Sequence, residues 1–77
     1  MLSGKRFKLE RATLSLESTD GKAQAVTVPA GAVIKVLSGP INGDGLVKVQ
    51  WEGRTLAMFA VDVDVRGTEI IDRSANV

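Results

Sequence analysis

The sequence predicts an all-β fold, a small single-domain barrel of roughly five to seven short antiparallel strands. Apolar and polar residues alternate along most of the chain, which is the pattern of strands with one buried face. Turn residues recur about every eight to ten positions, and no segment has the apolar spacing of an amphipathic helix. Because 77 residues are few for filling two full sheets, a strongly bent barrel is favoured over a sandwich.

The first half of the chain contains four predicted strands, in the segments RFKLE, ATLSLES, AQAVTVP and AVIKVLS. Asp20-Gly21 lies between the second and third segments, and Asp-Gly is among the strongest hairpin signals. Pro29 ends the third strand, since proline cannot pair within a central strand. We therefore expect a tight hairpin between the second and third strands.

The second half begins with GPINGDG at residues 39–45, whose turn residues predict a strand-connecting loop rather than a phosphate-binding loop. LVKVQWE and TLAMF follow as strands around a tight turn at Gly53. AVDV predicts one turn of 3₁₀ helix or a sharp bend, and a last strand follows around residues 69–71. The polar segment 72–77 predicts a flexible tail, so the domain covers residues 1–71.

The parity of the alternation predicts a single core. In TLAMF both parities are apolar, and we assign Ala57 and Phe59 to the inside. Trp51 shares the parity of Val47 and Val49, which favours a core side chain over the wall of a ligand groove. The predicted core residues are Phe7, Leu9, Leu14, Leu16, Val26, Val28, Ile34, Val36, Val47, Val49, Trp51 and Phe59.

Two segments resemble the SH3-like small barrel. VPAGAVIKVLSG is a turn leading into a strand that ends in glycine, and VKVQWEGRTLAMFAVDV is a hairpin followed by the place of a 3₁₀ turn. The resemblance covers about residues 26–71 and implies an SH3-like barrel of a bacterial family. The chain also resembles the type II dihydrofolate reductases in length. Neither polyproline binding nor reductase activity is implied, because the Ala-Leu-Tyr-Asp-Tyr and Gln-Ile-Tyr segments of those families are absent.

The composition argues against catalysis. Histidine, cysteine and tyrosine are absent, and these are three of the residue types on which acid–base chemistry mainly draws. Asp62 and Asp64 flank Val63, and we interpret them as exposed polar residues because a Ca²⁺ site needs about six to eight oxygens. The sequence therefore predicts a non-catalytic domain with no cofactor and no metal.

The charges are unevenly placed along a chain whose net charge is only +1. Residues 1–38 carry six Lys and Arg against three Asp and Glu, giving +3, and residues 39–77 carry four against six, giving −2. The most basic segment, GKRFKLER, contains Lys5, Arg6, Lys8 and Arg11. Such a strand suits a charged sheet edge that resists aggregation, and as an alternative it could bind nucleic acid.

The apolar run at residues 56–61 predicts assembly. If one parity packs inside the barrel, Leu56 and Met58 face outward, where Val33 and Leu37 could extend the same patch. Small monomers rarely expose such patches, so we expect an interface, most simply of a homodimer. A second small core beneath the terminal strand is the open alternative. The predicted function is thus a self-associating, non-catalytic interaction domain.

The predicted compartment is the bacterial cytoplasm, and no membrane partner is expected. No apolar run approaches the ~20 residues of a transmembrane helix. The N-terminal MLSGKRFKLE lacks the apolar stretch of a secretion signal. The absence of cysteine fits a reducing environment.

Overall fold

Seven strands and one short helix make up the computed structural model, which describes residues 4–41 and 45–71. The predicted tail at 72–77 and the centre of the predicted loop, residues 42–44, lie outside the described residues. The elements in chain order are β1 (Arg6–Leu9), β2 (Thr13–Thr19), β3 (Lys22–Val28), β4 (Val33–Ile41), β5 (Leu46–Trp51), β6 (Arg54–Phe59), α1 (Ala60–Arg66) and β7 (Gly67–Ile70).

The strands form one antiparallel sheet in the order β3-β2-β6-β5-β4-β1-β7. This confirms the predicted all-β fold and its antiparallel strands. The edge strands β3 and β7 do not pair with each other in the described part of the chain, so the barrel is not closed. Its centre is the meander β4-β5-β6, whose consecutive strands are neighbours in the sheet.

Two hairpins turn on the residue pairs that the sequence singled out. Asp20 and Gly21 have φ angles of 54° and 77°, and Glu52 and Gly53 have φ angles of 49° and 76°. Positive φ at both central residues is the signature of the type I′ turn, whose twist matches that of paired strands. The turns therefore determine which residues face each other in β2–β3 and in β5–β6.

A β-bulge interrupts β4 opposite β5. The register shifts between Val36 and Ser38 and again between Ser38 and Ile41. Gly39 lies in this irregular stretch with a φ of 127°, and a Cβ added to it would lie 2.7 Å from the side chain of Val47. Only glycine fits there, and the bulge bends the sheet around its core.

The segment AVDVDVR is an α-helix, so the predicted single 3₁₀ turn or bend is wrong. Val63 is its buried residue and packs into the core between the strands. The helix ends where Gly67 donates its N–H to the Val63 carbonyl oxygen, at a spot where a Cβ would come within 2.6 Å of that oxygen. Its last turn is tied to the β1–β2 connection by Glu10, whose N–H donates to the Arg66 carbonyl oxygen at 2.7 Å.

The core lies on one face of the curved sheet, and most of the predicted core residues belong to it. Trp51 and Val26 are half-buried against its edge. The buried apolar residues are Phe7, Leu9, Val28, Ile34, Val36, Val47, Val49, Leu56, Met58 and Val63.

In β2 the predicted inward parity is wrong. Leu14 and Leu16 are 52% and 37% exposed, while Thr13 and Ser15 are buried. The burial is possible because both hydroxyls are hydrogen-bonded: Thr13 Oγ1 donates to the Arg11 carbonyl at 2.9 Å, and Ser15 Oγ donates to the Val26 carbonyl at 2.8 Å. Because satisfied hydroxyls cost little inside, Thr13 and Ser15 can occupy the inward positions, and the alternation places Leu14 and Leu16 on the outward face.

In β6 the predicted parity is also reversed. Leu56 and Met58 are buried, whereas Phe59 is 44% exposed. The cause is the two-residue turn, which sets Leu56 opposite Val49 and Met58 opposite Val47. Because residues that face each other across a ladder share one face of the sheet, Leu56 and Met58 join the valines in the core.

The inverted parity of β6 predicts unequal costs for two neighbouring truncations. Met58→Ala removes a fully buried side chain and should lower the free energy of unfolding by about 2–5 kcal/mol. Phe59→Ala, the matched control on the opposite face, should cost about 1 kcal/mol. Urea denaturation of both variants measures the difference, and a larger loss for Phe59→Ala would contradict the observed parity.

Candidate nucleic-acid interface

Four cationic side chains lie on the outward face of the sheet, opposite the core. They come from three adjacent strands: Arg6 and Lys8 from β1, Lys35 from β4 and Lys48 from β5. All four are exposed. We call this set the basic face.

The strand register brings these four residues together. Arg6 lies directly opposite Lys35, and Lys35 lies opposite Gln50, two residues along β5 from Lys48. Neighbouring strands are about 4.8 Å apart, so the basic face extends over roughly two strand spacings. Arg6 and Lys48, which are 42 positions apart in the sequence, thus belong to one continuous surface.

The outward positions of the described strands carry no acidic residue. Their other members are neutral, and the acids of the described strands, Glu17 and Glu69, have the inward parity. The potential of the basic face is therefore positive although the net charge of the chain is only +1. The neutral outward residues are Leu14, Leu16, Ser18, Ala23, Ala25, Thr27, Val33, Ser38, Leu46, Gln50, Thr55, Ala57, Phe59, Thr68 and Ile70.

None of the four cations has an ion-pair partner within residues 4–41 and 45–71. Arg6 and Lys35 face each other as like charges, an arrangement that destabilises a sheet. Proteins tend to break such local rules at functional sites. The basic face is therefore a candidate binding surface for an anion.

The structure separates the four basic residues that the sequence grouped together. Arg6 and Lys8 belong to the basic face, but Lys5 Nζ lies 3.7 Å from Glu69 Oε1 on the other side of the sheet. Arg11 is exposed in the β1–β2 connection. Sequence reasoning missed Lys35 and Lys48, although the outward parity of both, in AVIKVLS and LVKVQWE, was a usable signal.

An exposed aromatic ring adjoins the basic face. Phe59 lies opposite Leu46, and Lys48 lies opposite Ala57, so Phe59 and Lys48 are diagonal neighbours across β5 and β6. Diagonal neighbours are about 7–8 Å apart, within reach of long side chains. The outward face therefore offers both charge and an aromatic surface.

A groove lies between β2 and β6, and Ala57, the next outward residue along β6 from Phe59, is part of its wall. The described pairing of the two strands consists of Leu16 opposite Ala57. The groove has a volume of about 230 Å³. It is lined by Leu16, Ser18, Lys48, Thr55, Leu56 and Ala57.

The four residues of the predicted interface do not share a surface. Val33 and Leu37 are 45% and 39% exposed, as their parity predicted, but Leu56 and Met58 are buried beneath the sheet. A patch centred on Leu56 and Met58 is therefore wrong, because the tight β5–β6 turn directs both residues into the core. Self-association itself stays a prediction.

The seam between β2 and β6 is bridged by a bidentate ion pair on the inward side. Arg54 donates from Nε to Glu17 Oε2 at 3.1 Å and from Nη2 to Oε1 at 2.6 Å. The guanidinium also stacks on Trp51, 5.7 Å from the ring centroid. The hydrogen bond from Arg54 lowers the pKa of Glu17 and outweighs the opposing effect of desolvation.

In comparisons with known proteins, no family model matches the chain, and no curated protein or solved structure matches it either. The resemblance to SH3-like barrels accordingly rests on sequence pattern alone. Within the described residues, the helix is too short and too polar to cross a membrane.

The lowered pKa of Glu17 predicts a defined acid sensitivity. A carboxyl whose folded-state pKa lies below its ordinary value of 4.5 stabilises the fold above that pH, and this contribution disappears as the pH falls through the folded-state pKa. Glu17→Gln should therefore lower the melting temperature at pH 7, with the difference from the parent shrinking below pH 4.5. The control is Glu10→Gln, which removes an exposed carboxylate with no ion-pair partner in the described part of the chain. Equal melting temperatures at pH 7 for Glu17→Gln and the parent would contradict the role of the ion pair.

Proposed function

We propose that this protein is a small, non-catalytic domain that binds nucleic acid through its basic face. The observation that carries the proposal is the clustering of Arg6, Lys8, Lys35 and Lys48 on a sheet face whose described strand positions carry no acid. Contacts between such cations and phosphates release condensed counterions, which supplies most of the affinity of sequence-independent binding. The predicted bacterial cytoplasm, where nucleic acid is abundant, forms part of this proposal.

A polyanion fits the basic face better than an acidic side chain does. The cations are spread over three strands rather than focused on one point. Neighbouring cations are about one strand spacing apart, two residues apart along a strand, or both. A repeating backbone of phosphates meets several such charges at once. A single carboxylate would leave most of them without a counter-charge.

The modest number of cations sets the expected salt dependence. If all four contact phosphates, the logarithm of the binding constant should fall with the logarithm of salt concentration with a slope of about −3 to −4. Between 50 and 200 mM salt the affinity should then drop about 50- to 150-fold. A domain with so few contacts is expected to bind weakly and with little sequence preference.

Homodimerisation is the second candidate. It is favoured by the exposed Leu14, Leu16 and Phe59, which lie on the outward side of β2 and β6. Sedimentation equilibrium tests it: a dimer packed there should dissociate in Phe59→Ser, while the control Val61→Ser, on the exposed side of α1, should leave it intact. A parent protein of 8.2 kDa at millimolar concentration would rule the dimer out.

The nucleic-acid proposal is tested by two double variants with the same net charge. Lys35→Gln with Lys48→Gln removes half of the basic face, whereas Lys5→Gln with Lys22→Gln removes two lysines from outside it. At 50 mM salt, fluorescence anisotropy with a labelled oligonucleotide should show an affinity loss of about tenfold or more for the first pair, and a salt slope shallower by about 1.4. The second pair should bind like the parent.

Two results would contradict the proposal. One is a parent protein that binds neither single-stranded nor duplex oligonucleotides at 50 mM salt. The other is an equal loss of affinity in both double variants, which would mean that binding follows the net charge and not the basic face.

A further inference from the structure

The exposed side chain of Phe59 indicates which class of nucleic acid binds the basic face. Of the two phenylalanines, Phe7 is buried in the core, whereas Phe59 presents nearly half of its surface to solvent. A large aromatic ring at an outward position gives up burial free energy, and it does so on the face that carries the cations. The exposed ring is therefore available to a ligand with its own aromatic surface, next to the cations that would attract a polyanion.

The charges and the ring are arranged as one track across the strands. Phe59 lies on β6, Lys48 on β5, Lys35 on β4 and Arg6 on β1, and these four strands are consecutive in the sheet. The track is about three strand spacings long, or roughly 14 Å. Its diagonal step from Lys48 to Phe59 is comparable with the reach from a backbone phosphate, across the sugar, to the base.

The groove between β2 and β6 shares Lys48 with this track, and its wall on β6 includes Ala57, the next outward residue from Phe59. Its lining mixes the apolar side chains of Leu16 and Ala57 with the hydroxyl-bearing Ser18 and Thr55 and the ammonium of Lys48. At about 230 Å³ it is large enough for a nucleobase, whose faces are apolar and whose edges carry hydrogen-bonding groups. A flat membrane surface would leave such a groove unfilled.

We propose that the ligand is single-stranded nucleic acid, with one base stacked on Phe59, the next base over the groove, and the phosphates on Lys48, Lys35 and Arg6. This inference rests on the proposed function. Charge complementarity selects a polyanion, and the ring selects one with unstacked bases, since the bases of a duplex are covered by their neighbours and cannot lie on a side chain. The site is short, on the order of four nucleotides.

Anisotropy titrations at 50 mM salt test this with three probes: a labelled (dT)₁₂, a single-stranded RNA of the same length, and a DNA hairpin duplex. The parent should bind both single strands more tightly than the duplex. Phe59→Ala and Phe59→Leu should each weaken single-strand binding about 5- to 150-fold, because neither side chain has a stacking face. Leucine keeps the apolar surface, so Phe59→Leu isolates the loss of stacking. Val61→Ala, an exposed apolar truncation on the helix, should bind like the parent.

The salt slope separates stacking from charge. Phe59→Ala should leave the slope unchanged, whereas Lys48→Gln should make it shallower by about 0.7. Circular dichroism tests whether each variant is folded. If Phe59→Ala is unfolded, the binding of Phe59→Leu decides whether the ring stacks on a base.

The outcomes distinguish the inference from the function on which it rests. Equal binding of duplex and single strands, with no loss in Phe59→Leu, would overturn the stacking role and leave the nucleic-acid function standing. Failure to bind any of the three probes would overturn both. Binding to phosphatidylserine vesicles without binding to (dT)₁₂ would assign the ring to a membrane surface and overturn the inference. A dimer that Phe59→Ala dissociates, in a protein that binds no nucleic acid, would assign the ring to a second copy and overturn it as well.

Discussion

The two-residue turn at Glu52-Gly53 is the constraint on which the rest of the structure depends. A type I′ turn allows one register, and this register places Leu56 and Met58 against Val49 and Val47. A slip of one residue would move every side chain of β6 to the other face. The turn therefore decides which side of the central meander is the core and which side meets the surroundings.

An open sheet needs other means to hold its curvature. The bulge at Gly39 bends β4, and Val63 enters the core from the helix that connects β6 to β7. Nearer the β3 edge of the sheet, the Glu17–Arg54 pair joins β2 and β6, whose described ladder is limited to one pair of facing residues. These local devices replace the ladder that would close a full barrel.

The division of the sheet into an inward and an outward face also explains why the four cations and Phe59 lie on the same surface. In β1 and β5 the inward positions are apolar, as are Ile34 and Val36 of β4, and the alternation gives Arg6, Lys8, Lys35 and Lys48 the outward parity. Their convergence follows from β1 and β5 both pairing with β4. Phe59 reaches the same side because Met58, its neighbour in sequence, is directed inward.

The sequence by itself determined the all-β class and both hairpin turns, because alternation and turn chemistry are local properties. It also identified the core in part, since seven of the twelve predicted core residues are buried. It did not determine the parity of β2 and β6. In TLAMF both parities are apolar. In β2, Thr13 and Ser15 can be buried because their hydroxyls donate to the backbone carbonyls of Arg11, in the β1–β2 connection, and of Val26, in the neighbouring strand. Nor did it reveal the helix, because Val61, Val63 and Val65 alternate like a strand, whereas in the structure Val63 enters the core from an α-helix. The basic face was half visible in GKRFKLER, but joining Arg6 to Lys35 and Lys48 requires pairing between distant strands, which only the tertiary structure decides.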